Sequence, residues 1–141
     1  MVGIIIENRF NMNLPHNDLS EEIIGICYQV YNELGWGYRE QYYEKAIIVG
    51  LETDGFSYTK QSITPIKFRN KIIGYNRYDI FVENTILIEL KVGLKLIKKD
   101  YDQINEYLKQ NNIENGLLIL FSPTGVVPKR IFNRPNYKYR S

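Results

Sequence analysis

The chain has 141 residues, 44% of them hydrophobic and 24% charged, with a formal net charge of +2. That balance describes one globular domain with a core of its own; it excludes a disordered chain, and no apolar run reaches the roughly 20 residues that a membrane-spanning helix needs. A single cysteine, Cys27, excludes an internal disulfide and a cysteine zinc cage, and fits a reducing, cytoplasmic setting.

The first sixteen residues read as a short strand or loose arm, and the opening MVGIIIENRF lacks the basic leader and longer apolar run of a signal peptide. A helix follows over NDLSEEIIGICYQVYNELG. Asp18 and Glu21 make a capping-box pattern, Ile23, Ile26, Cys27, Val30 and Leu34 recur at helical spacing, and Gly35 is a natural stop. A second helix is predicted from near Tyr38 to Gly55, with Tyr43, Ile47, Ile48 and Leu51 inward. The Gly35-Trp36-Gly37 break between the two is a bend, not a domain boundary.

From Phe56 the pattern changes to strands: SITPIKFR, KIIGYNRYDIFV and TILIELK are short, β-branched and separated by turn residues. LKLIKKDYDQINEYLKQNN is helical again, with Ile97, Tyr101, Ile104 and Leu108 on one stripe. GLLILFS is a continuous apolar run suited to a strand covered on both faces, and VVPKRIF an edge strand, since Pro128 cannot donate to an interior ladder. The predicted order is α-α-β-β-β-α-β with a further final strand, an α/β fold in which helices pack on a mixed sheet.

Charge is unevenly spread. Residues 1–54 carry nine acids against three bases, residues 55–141 fifteen bases against seven acids, and beyond residue 115 there is no acid. A polyanion partner and a solvated basic tail both fit this, and the tyrosines of RPNYKYRS could stack on nucleic-acid bases.

The strand ILIELK puts Glu89 and Lys91 on one face and Ile88 and Leu90 on the other. Asp79 stands ten residues before Glu89. With an odd connection, for which Glu83, Asn84 and Thr85 can serve, Asp79 lies across from Glu89 on the same face; an even one would turn it away. Thr85 is a poor occupant for a left-handed position in such a turn. Two facing carboxylates repel, and without a cation between them one would take up a proton. A hard divalent ion such as Mg²⁺ would resolve this with oxygen ligands and waters, and Lys91 could orient an attacking water or neutralise phosphoryl charge. An acid–lysine ion pair at a sheet surface is the other reading, and acid-x-Lys is too short a pattern to decide between them.

Asp79 followed by Glu89-Leu90-Lys91 resembles the signature of the PD-(D/E)XK phosphodiesterase superfamily, although Tyr78 stands in place of the proline. GYREQYYEKAI, with Gly37, Glu40 and Tyr43, resembles the naming motif of its GxxExxY branch. DIFVENTILIELK, the Gln103–Tyr107–Leu108 pattern and GLLILF also agree, so the likeness runs over about residues 18–132. It implies a restriction-endonuclease-like core at residues 17–133, between the arm at 1–16 and a basic tail at 134–141. It further implies that Asp79, Glu89 and the Leu90 carbonyl hold Mg²⁺ or Mn²⁺, with Glu40 as an added acid. Lys91 becomes the catalytic lysine and Gln103 a group that positions water or phosphate. Tyr43 and Tyr107 would brace the site, while His16 and Cys27 stand apart from it.

The expected activity is metal-dependent hydrolysis of nucleic acid, with DNA the leading candidate and no membrane partner. A non-catalytic binding module keeping the same fold is the alternative. Flat apolar strands could also leave an edge for a homodimer.

Overall fold

The computed structural model describes residues 16–133. The predicted arm before His16 and the basic tail at 134–141 lie outside the described residues.

Two helices come first, α1 (His16–Leu34) and α2 (Glu40–Thr53). The first begins at His16, three residues before the Leu19 start that a capping box at Asp18 would give. The second opens at Glu40 and not near Tyr38. Gly35 (φ 73) and Gly37 (φ 115) hold left-handed backbone that no right-handed helix uses. Tyr43 fixes this bend: its hydroxyl donates to the Gly35 carbonyl at 2.5 Å and accepts the Tyr38 N–H at 3.4 Å.

Five strands form one sheet in the order β1 (Tyr58–Phe68), β2 (Lys71–Val82), β3 (Ile86–Val92), β4 (Asn115–Ser122), β5 (Gly125–Phe132). The β3–β4 pair is parallel and the others are antiparallel, with α3 (Lys98–Gln110) making the crossover between the parallel pair. VVPKRIF is an edge strand as predicted, and Pro128 lies opposite Ile119 where only one neighbour needs a partner. The strand before the first turn starts earlier than expected, at Tyr58.

Alternation gives the sheet two faces. Ile80, Val82, Ile86, Ile88 and Leu90 point to one face and pack under Ile23, Tyr43, Ile47 and Leu51 of α1 and α2. Leu87 and Leu118 point to the other and meet Ile104 and Leu108 of α3. Every residue of β4 is buried, the result of helices on both faces. Ile97 departs from the predicted stripe: it is an exposed, extended residue (φ −122) just before α3. Residues 93–97 are consumed in turning the chain from the end of β3 back over the sheet.

Candidate active site

The ladder between β2 and β3 has three rungs, Ile80–Ile88, Phe81–Leu87 and Val82–Ile86, which leaves Glu83, Asn84 and Thr85 as the connection. The number is odd, so Asp79 and Glu89, each one residue past the last rung, share a face. Left-handed backbone falls on Glu83 (φ 53) and Asn84 (φ 50), which spares Thr85. Glu83 tolerates this because its carboxylate accepts the Ser57 N–H at 2.7 Å and the Ser57 hydroxyl as well.

Past that rung the two strands part. Asp79 lies opposite Gln61 of β1, while Glu89 lies beside Leu118 of β4. The two carboxylates therefore stand at the mouth of a fork in the sheet. Both residues have no solvent exposure, and both Glu89 carboxylate oxygens are buried. Placing two acids in such a position is costly unless something compensates their charge.

Lys91 follows on the same face, half-buried. Its ammonium donates to Gln103 Oε1 at 3.2 Å and lies 3.8 Å from Asp100 Oδ1. Asp100 in turn accepts the Ile97 N–H at 2.9 Å, which caps α3. The first turns of α3 thus hold the lysine from above, and Gln103 reaches back toward the strand. A cleft of about 460 Å³ opens on this face toward the β2–β3 turn, lined in part by Gln61, Phe81, Leu87, Tyr107 and Asn115.

Glu40 is placed differently. It opens α2, in the helix layer over the opposite face of the sheet. Among the described residues no group of three or more His, Cys, Asp or Glu side chains is already arranged to hold a metal ion. One turn later, buried Glu44 forms an ion pair with Lys60 of β1 at 2.7 Å. Sequence reasoning named neither Glu44, which lies with Lys60 on the α1/α2 face, nor Asp100, which stands beside Lys91. Glu44 could have been found as the acid on the stripe of Tyr43, Ile47 and Leu51, and Asp100 as the acid in the first turn of α3.

The donor set tests the idea of a bound cation. Two carboxylates on one face suit Mg²⁺, which is held through one or two carboxylates and takes water and phosphate oxygens for the rest of its shell. Cys27, the single cysteine, lies in the core under α1 and not with them, which disfavours thiolate-preferring metals. The residues present fit a hard divalent ion.

A sequence model of the PD-(D/E)XK nuclease superfamily matches residues 17–132. The chain belongs to that superfamily. No curated protein and no solved structure matches significantly. The five-strand mixed sheet flanked by helices is the restriction-endonuclease-like arrangement of PD-(D/E)XK nucleases, which generally use divalent metal ions. Among the described residues of this PD-(D/E)XK chain no helix is long and apolar enough to cross a membrane.

Proposed function

We propose that the chain is a metal-dependent phosphodiesterase of the GxxExxY branch that hydrolyses nucleic acid, DNA before RNA. One observation carries this reading: two fully buried acids, Asp79 and Glu89, stand on one face just past the last β2–β3 rung, with Lys91 two residues on along the same face. A plain scaffold has no use for that expensive arrangement.

Asp79, Glu89 and the Leu90 carbonyl are the groups that would hold Mg²⁺ or Mn²⁺, and Glu40 would approach from the α2 layer where the strands part. The bound ion would supply Lewis-acid stabilisation of phosphoryl oxygens and a more acidic water. Lys91 presents its ammonium where it can donate to the attacking water or to a non-bridging phosphate oxygen. Gln103, its Oε1 engaged by Lys91, keeps the lysine extended and leaves its amide N–H groups to donate toward the same oxygens. Asp100 opposes drift of the ammonium from the other side. Tyr43 acts at a distance, by fixing the bend from which Glu40 starts.

Cleavage of labelled nucleic acids in Mg²⁺ or Mn²⁺ tests the proposal. Glu89→Ala and Lys91→Ala should each abolish cleavage while keeping the folded circular-dichroism spectrum. Undiminished cutting by either variant would refute it, and metal binding by the wild type with no cleavage of any nucleic acid would favour the non-catalytic binding module.

A further inference from the structure

The longest strand pair does more than carry Asp79. β1 and β2 pair along their whole length, yet β3 accompanies β2 only from Ile80 to Val82. The remainder stands clear of the sheet as a two-stranded ribbon closed by Arg69 (φ 50) and Asn70 (φ 64), and every residue from 65 to 73 is exposed. Register shifts between Ser62 and Thr64, Thr64 and Pro65, and Ile66 and Lys67 add twist to it.

Its composition is one-sided. Between residues 55 and 78 there are five bases and no acid, and three of those bases, Lys67, Arg69 and Lys71, crowd the tip. The same tip exposes Phe68 (60%), Ile72 and Ile73 (68%), with the Arg69 guanidinium 5.1 Å from the Phe68 ring centre. Apolar and basic side chains are mixed on each face: Phe68 pairs with Lys71, and Lys67 with Ile72. A self-association surface would gather the apolar residues on one face, and a two-fold contact at the tip would set like charges together. A polyanion with apolar crevices removes both objections.

We infer that this ribbon is an arm that grips duplex DNA beside the site, a reading that rests on the proposed nuclease function. Its bases neutralise phosphates, and Phe68 with its isoleucine neighbours fills the groove or wedges at a base step, as apolar side chains of groove-binding proteins do. The major groove of B-form DNA admits a two-stranded ribbon, whereas that of A-form RNA is too deep and narrow. Eight residues separate Lys71 from Asp79, a reach of about 25 Å at the rise of a strand, which corresponds to roughly seven base pairs of duplex.

Binding of a fluorescein-labelled 24-base-pair duplex, titrated with salt in EDTA so that no cleavage occurs, tests the arm. The triple variant Lys67→Gln, Arg69→Gln, Lys71→Gln should keep the wild-type melting temperature and weaken binding at least tenfold at low salt. The slope of log K against log salt should become shallower by about 2.7, at roughly 0.9 per lost phosphate contact. An unchanged slope and affinity would overturn the inference. So would a variant that changes only from dimer to monomer in light scattering, which would make the ribbon a self-association element. The two readings fail separately. A wild type that cuts DNA, beside a triple variant that binds and cuts as well, refutes the arm and leaves the nuclease standing; arm-dependent binding without any metal-dependent cleavage does the reverse.

Discussion

Glu89→Gln should make the metal-free protein more stable, not less. The substitution keeps the shape and an acceptor oxygen but removes one of two facing charges. Directly opposed positions on antiparallel strands place their side chains about 5 Å apart, and one residue past the last rung of a parting pair the separation is somewhat larger, about 6 Å. At that separation, with an effective dielectric constant of about 20, two unit charges repel by about 3 kcal/mol. Relief of between about 1 and 3 kcal/mol is expected, the lower figure holding where neighbouring groups already offset part of the repulsion. For a chain of 141 residues each kcal/mol moves the melting temperature by about 3–4 °C, so in EDTA the variant should melt roughly 3–12 °C above the wild type. Metal should act the other way: 10 mM Mg²⁺ on a site of about 1 mM affinity adds about 1.4 kcal/mol to the wild type and little to the variant. Differential scanning calorimetry of both proteins, each in EDTA and in Mg²⁺, reads all four values. If Glu89→Gln melts below the wild type in EDTA and neither responds to metal, the acids are not a strained cation site and the argument from repulsion is wrong.

Gly50 has room for no side chain, because an added Cβ would lie 2.5 Å from Ile26 Cγ2. Gly50→Ala should cost about 1–3 kcal/mol in urea unfolding although alanine is the better helix former; a stabilised variant would mean that α1 and α2 can separate freely. Tyr43→Phe removes the donor that holds the Gly35 carbonyl and should cost about 1 kcal/mol, and the same variant should lower cleavage through looser placement of Glu40, seen as a drop in kcat with Mg²⁺ saturating. Burial pushes the Cys27 thiol from 9.0 up to about 12. The folded state therefore holds its proton where the unfolded chain has lost it, so this contribution is full below pH 9 and is lost as pH rises from 9 toward 12. Native protein should resist alkylation at pH 8, and the fall in stability between pH 9 and 11 should be shallower in Cys27→Ala; prompt labelling of the native thiol would contradict the burial.

The helices, the strands and the facing of Asp79 and Glu89 could be read before any coordinates because each depends on local periodicity or on parity. The period of two along TILIELK and an odd connection determine which acids share a face, whatever the rest of the molecule does. Glu44 with Lys60, and Lys91 with Asp100, could not be read in this way. Each joins elements whose relative angle is set by core packing, between Ile47 and the sheet in one case and between Ile104 and Leu87 in the other. Ile97 misled for a related reason: its spacing from Tyr101 fits a helix, but the chain needs those residues to climb from β3 to the face above it. The ribbon's register shifts were equally hidden, since Pro65 announces only that one ladder donor is missing. Glu40 was assigned by likeness to a family, and the layer it belongs to depends on how the bend at residues 35–37 turns the second helix.

The three-rung ladder between β2 and β3 has a mechanical consequence. Asp79 rides on the ribbon, whereas Glu89, Lys91 and Gln103 ride on the body formed by β3, α3 and β4. Three paired rungs, a three-residue turn and the packing of Phe81 against the α3 layer couple these two parts at the fork, so the spacing between the acids follows the angle at which ribbon and body meet. A load applied at the far end of the ribbon acts on that angle through a lever of about 25 Å, and the gap between the carboxylates sits at its fulcrum.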